Sequence, residues 1–121
     1  MTFAGLTVAY WAVLVAAILP IACEYGVGAF CWGLVQGKTA AEQTTITMRK
    51  IEAGLKSAGA RLADLVRTTI YVTDIRDMAA VSKALGKSLK GSVVTSTLVG
   101  VTALAVPGLL VEIEATAVVE R

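Results

Sequence analysis

The chain has 121 residues, 56% of them hydrophobic and 17% charged, with a mean hydropathy of +0.74 and a formal net charge of +2. That is one domain's worth of chain, too apolar for a disordered segment and too poor in Pro and Gly for a fibrous one. It contains no His, which excludes Ser-His-Asp and Cys-His triads and every His-based metal site.

Charge is spread unevenly. Residues 1–37 carry a single charged side chain, Glu24, and all the others follow Gly37. The run from Thr2 to Cys23 is uncharged, and about 20 apolar residues suffice to span a bilayer. Pro20-Ile21-Ala22-Cys23 has a faint likeness to a lipoprotein processing site. Against both readings, no Lys or Arg precedes Lys38. A signal peptide would lack its positive start, and a span would have little nearby to orient it. Within this run, Ala12 to Leu19 fits equally well as two short strands buried on both faces, which show continuous apolar runs instead of alternation. On pattern alone both readings stand. Within residues 24–37, Gly26-Val27-Gly28 lacks the third glycine of a dinucleotide loop. Cys23 and Cys31 do not form a CxxC and read as buried thiols in preference to a disulfide or a zinc site.

The clearest helix covers about 40–57. Thr39 and Glu42 have the spacing of a capping box. Thr44, Met48, Ile51 and Leu55 form one stripe, and Gly59 suits a left-handed stop. Residues 66–73 alternate, with Val66, Thr68, Ile70 and Val72 on one side, and predict a strand. Asp74 is the expected N-cap of a second helix over about 75–88, with Met78, Val81 and Leu85 as its stripe. Lys83, Lys87 and Lys90 read as its solvated face. With the remaining Lys and Arg scattered, no basic stripe for nucleic acid is visible. Residues 95–104 predict a strand, Pro107-Gly108 a turn, and 109–119 a last strand with Glu112 and Glu114 on one face and Ile113 and Ala115 on the other.

This order predicts a single α+β domain over residues 1–121, with two helices on one face of a mixed sheet. The other sheet face must then be closed by another subunit or remain as an apolar patch of a size rare on monomers. An oligomer is the expectation.

From Gln43 to Glu120 the chain resembles the RidA family, also called YjgF or endoribonuclease L-PSP. The residues that carry the resemblance are Leu55-Lys56-Ser57-Ala58-Gly59, the stretch from Leu62-Ala63-Asp64-Leu65 through Tyr71-Val72-Thr73-Asp74, and Pro107-Gly108-Leu109-Leu110-Val111-Glu112-Ile113-Glu114-Ala115. The resemblance implies a chorismate-mutase-like fold and a cytoplasmic homotrimer with ligand clefts between subunits. It also favours an N-terminal hairpin over about 7–23, with Tyr10 to Val15 and Ile18 to Cys23 as its strands, over a membrane span.

Active members open the penultimate strand with Pro-Ala-Arg, whose Arg binds the substrate carboxylate. Here that motif falls on Val94-Thr95-Ser96, so Ser96 replaces the Arg. An Arg fork gives bidentate, charge-assisted bonds where a hydroxyl gives one neutral bond. The difference is about 1.5–3 kcal/mol per charged hydrogen bond. Glu112 does match, at the position the family uses to hold or activate the attacking water. A carboxylate at a dry interface would have its pKa raised, which suits that role. Tyr10, Ala22, Cys23, Ser96 and Leu98 are the residues expected to line the ligand, with no cofactor and no metal. The implied function is an imine or enamine deaminase-like hydrolase of altered specificity, acting on a small carboxylate or imine. The alternatives are a non-catalytic metabolite-binding trimer and, with least support, an endoribonuclease.

Overall fold

The computed structural model describes residues 2–3, 6–7, 11–18 and 37–120. Two short strands, β1 (Thr2–Phe3) and β2 (Leu6–Thr7), pair with each other. A four-stranded sheet is built from β3 (Trp11–Ile18), β4 (Leu65–Val72), β5 (Thr95–Gly100) and β6 (Val111–Glu120), in the order β3-β6-β4-β5. Helices α1 (Ala40–Ser57) and α2 (Met78–Leu89) complete the layer pair. The β4–β5 pair is parallel and joined through α2, while the other pairs are antiparallel.

Segment 11–18 is one unbroken strand. Its eight residues run antiparallel to β6, from Trp11 opposite Glu120 to Ile18 opposite Ile113. The expectation of two short strands here is corrected accordingly, and the remainder of the expected hairpin, residues 8–10 and 19–23, lies outside the described residues. Among the described residues no helix is long and apolar enough to cross a membrane.

Helix α1 begins where its capping box requires. Glu42 N donates to Thr39 Oγ1 at 3.2 Å, and Thr39 N donates back to Glu42 Oε2 at 3.3 Å, satisfying two end-of-helix donors. Thr44, Met48, Ile51 and Leu55 are all buried. The same flank of α1 also buries Gln43 and Thr47. The sheet answers with Ile70, Val72, Val111, Ile113, Ala115 and Ala117, and α2 adds Val81, Leu85 and Leu89. Full burial of one such Val, Leu or Ile is worth about 1.5–3 kcal/mol.

Thr44 and Thr45 donate to the carbonyl oxygens of Ala40 and Ala41. Thr47 Oγ1, by contrast, is buried with no hydrogen-bond partner among the described residues. A buried hydroxyl without a partner costs about 1–3 kcal/mol. Thr47→Val keeps the shape and removes the polar atom, so it is expected to stabilise by about 1 kcal/mol, read as a higher thermal unfolding midpoint. A lower midpoint would show that the hydroxyl is satisfied in solution.

Three boundaries and one strand register depart from the sequence reading. Strand β5 stops at Gly100 instead of residue 104, because its partner β4 ends at Val72. One further bond, from Val101 N to Val72 O at 2.8 Å, closes the ladder. Strand β6 starts at Val111 instead of 109, because Leu109 N turns back to Val106 O and Leu110 N is taken by a side chain. Residues 75–77 form a separate 3-10 turn before α2, which leaves Met78 52% exposed and shifts the buried stripe to Val81, Ala84, Leu85 and Leu89. In β4 the register slips between Leu65, opposite Ala117, and Arg67, opposite Thr116. The extra residue, Val66, is 46% exposed while Leu65 is buried.

Asp74 opens the 3-10 turn. It accepts from Arg76 N at 2.9 Å and meets the Arg76 guanidinium. The side-chain hydrogen bond from Arg76, followed by the backbone one, lowers its pKa from 3.8 to about 2. A carboxyl with a lower pKa in the folded state contributes stability that is complete above its unfolded value and disappears as pH falls through its folded value. Because Asp74 is solvent-exposed, the contribution is small. The stability difference between the native protein and Asp74→Asn is expected to be constant near neutrality and to shrink as pH drops from 3.8 to about 2. Acid titration of the unfolding midpoint for the two proteins measures it.

Candidate functional site

The sheet face opposite the helices is assembled from cross-strand rows. Residues in register share a face, and the register sets Glu112 beside Tyr71 and Tyr71 beside Val99. The next row is Glu114, Thr69 and Thr97, and the third is Thr116, Arg67 and Thr95. Glu112, Glu114, Thr69, Tyr71 and Thr116 are half-buried, while Arg67, Thr95, Thr97 and Val99 are exposed. Across β4, β5 and the first part of β6 this face is therefore largely polar. Strand alternation is the reason: each apolar residue that β4 and β6 send into the core leaves a polar neighbour facing away.

Glu112 sits at one end of this surface. Among the described residues its carboxylate makes no ion pair and no hydrogen bond. Glu114, on the same face, accepts from Tyr71 Oη at 3.4 Å. Arg67 shares the face and, among the described residues, has no acidic partner.

Ser96 lies on the other side of the sheet. It is in register with Thr68, and the two hydroxyls are hydrogen-bonded at 2.7 Å. Thr68 is fully buried on the helix side, so Ser96 is held at the rim of that side. Leu98 is in register with Ile70 and packs against the core. Within one chain the sheet thus separates Ser96 and Leu98 from Glu112. The other expected lining residues, Tyr10, Ala22 and Cys23, lie outside the described residues. Among the described residues no group of acidic or sulfur side chains is arranged to hold a metal ion.

One residue that organises this region was not singled out by the sequence reading. Gln43 is 1% exposed. Its Nε2 donates to Gly108 O at 2.9 Å and Gly37 O at 3.2 Å, and its Oε1 accepts from Leu110 N at 2.8 Å. It ties the start of α1 to the Pro107-Gly108 turn and so to the entry of the strand that carries Glu112. At Gly37, φ is +91 and a Cβ would sit 3.1 Å from Gln43 N, so only glycine fits there comfortably. The available signal was a large polar residue directly beside the apolar stripe of α1.

The profile of the Endoribonuclease L-PSP family matches residues 12–119. The chain belongs to this family. The match reaches residue 12, so it takes in the β3 segment as well as the Gln43–Glu120 region. A curated member-like relative, Protein DfrA of Myxococcus xanthus, is 35% identical over 85 residues, or 70% of this chain and 63% of that protein. The chain therefore spans less than two thirds of that relative's length.

Solved structures of the L-PSP/YjgF group share the fold. A YjgF/YER057c/UK114 family member from Mycobacterium tuberculosis is 48% identical, with a TM-score of 0.68 covering 69% of this chain and 71% of that one. A conserved Rid-family protein, YyfB, from Yersinia pestis is 29% identical, with a TM-score of 0.73 covering 93% and 81%. A YjgF-family protein from Neisseria meningitidis is 26% identical, with a TM-score of 0.72 covering 90% and 80%.

Proposed function

We propose that this chain forms a cytoplasmic homotrimer that hydrolyses small imines or enamines in clefts between its copies. Water adds to the C=N carbon, the C–N bond breaks, and a carbonyl compound and ammonia leave. Glu112 holds the water and accepts its proton. The observation that carries this reading is the Glu112 carboxylate itself. It is half-buried on an open sheet face, beside Tyr71, with no structural partner among the described residues. A carboxylate without a structural partner is available to act as a general base.

Ser96 in place of the family Arg favours substrates in which the carboxylate contributes less to binding. With Ser96 and Glu112 on opposite faces of one sheet, a site that uses both draws them from two copies. Arg67, on the Glu112 face, is a cation available there to an anionic substrate.

The test is ammonia release from freshly generated 2-aminoacrylate and from an imine without a carboxylate. Acceleration of either, with the uncarboxylated imine less penalised than in an Arg-bearing family member, is the expected result. No acceleration of either would overturn the enzymatic reading. The absence of the family Arg, with Ser96 in its place, motivates a second reading, a non-catalytic metabolite-binding trimer. That reading is supported if a carboxylate or imine analogue raises the unfolding midpoint without turnover. The ribonuclease activity in the family's name has least support, since the chain has no His and, among the described residues, no basic groove on the Glu112 face.

A further inference from the structure

The outer seam between α1 and α2 is a furrow. At its centre is a hollow of about 330 Å³ bounded by Thr45, Met48, Arg49, Ala84 and Lys87. It continues past Ala80 and Lys83 in one direction, and past Leu62 and Lys90 in the other. Its apolar lining is Leu62, half-buried, with the edges of the buried Met48 and Ala84 beneath. The rim is basic. Arg49, Lys83, Lys87 and Lys90 are exposed, and among the described residues none of them has an acidic partner. Two acids also line it: Glu42, whose carboxylate caps α1, and Glu52, paired with Lys56 at 3.3 Å. The groove thus gathers four cations that form no ion pair among the described residues, against one lining carboxylate without a cationic partner, Glu42.

We propose that this furrow binds an extended peptide segment in which acidic and aliphatic residues alternate. The spacing supports that occupant. Lys83 and Lys87 lie one turn apart, a rise of about 6 Å. Alternate side chains of an extended strand repeat every 6.6 Å or so. A Glu-x-Glu segment therefore meets both lysines while its intervening aliphatic residues reach the apolar lining. Helix α2 has 12 residues and is about 18 Å long, which matches five or six extended residues. Single-stranded nucleic acid fits less well, because binding without sequence preference relies on aromatic platforms and no aromatic side chain lines the hollows. The furrow lies across the helix layer from Glu112, so it is independent of the catalytic reading.

The test uses the full chain and a fluorescein-labelled decapeptide of alternating Glu and Leu, read by anisotropy. A Lys-Leu peptide and a labelled single-stranded RNA decamer are run beside it. Binding of the acidic peptide is expected, weakening at least about tenfold on Lys83→Glu/Lys87→Glu and weakening with added salt. The neutral pair Lys83→Gln/Lys87→Gln is expected to fall between, with an unchanged unfolding midpoint. Four results would each overturn the proposal: no binding of the acidic peptide, equal binding of the basic one, indifference to both charge changes, or tighter binding of the RNA.

Discussion

Gln43→Ala is expected to destabilise the fold by about 3 kcal/mol, lowering the thermal midpoint by about 10 °C. The reason is the number of groups one side chain satisfies. Removing it strands the Gly37 and Gly108 carbonyls and the Leu110 N–H, in a place where Gln43 itself is 1% exposed. The three bonds are part-buried, so water recovers some of the loss and about 1 kcal/mol per bond is expected. Gln43→Met fills the same volume without the amide, which separates the lost hydrogen bonds from the cavity. It is expected to retain most of the loss. If Gln43→Met were as stable as the native chain, the three bonds would be contributing nothing net. Because the clamp also sets the entry of β6, either variant should loosen the strand that carries Glu112, seen as faster amide exchange at residues 110–113.

Glu112→Gln is expected to lower the rate of imine hydrolysis by about 10²–10⁴, with KM much less affected. Glutamine keeps the size and loses the capacity to accept the proton from water. Glu114→Gln is the control, since Glu114 already accepts from Tyr71 and should cost far less. A rival role for Glu112, an ion pair with a Lys or Arg of another copy, has a different signature. Under that role Glu112→Gln would shift the oligomeric state on a sizing column and leave any turnover per assembled molecule unchanged.

Local signals in the chain were reliable where they recruit neighbours in sequence. Thr39 and Glu42 marked the start of α1, and the alternation around Ile113 and Ala115 marked which residues of β6 face the core. What the sequence concealed depends on distant partners. The end of β5 is decided by where β4 stops, the start of β6 by an amide from Gln43, and the exposure of Met78 by a 3-10 turn that displaces the helix behind it. The site divided in the same way. Glu112 was legible as a matching residue, but its separation from Ser96 is a matter of strand register, and no single strand reveals that. The polarity of the β4–β6 part of the Glu112 face was hidden by an average, because apolar side chains are denser before Lys38 than after it.

The slip at Val66 bears on how this chain can change length. Strand β4 advances two residues there while β6 advances one, so Val66 is a spare link in the pairing. Deleting it would join two stretches whose alignment with β6 is already correct. Deleting Thr69, three residues on, would swap inside for outside along the rest of the strand. Loss of a residue from β4 is therefore expected to be survivable at 66 and ruinous at 69, a contrast that soluble expression of the two deletion variants would reveal.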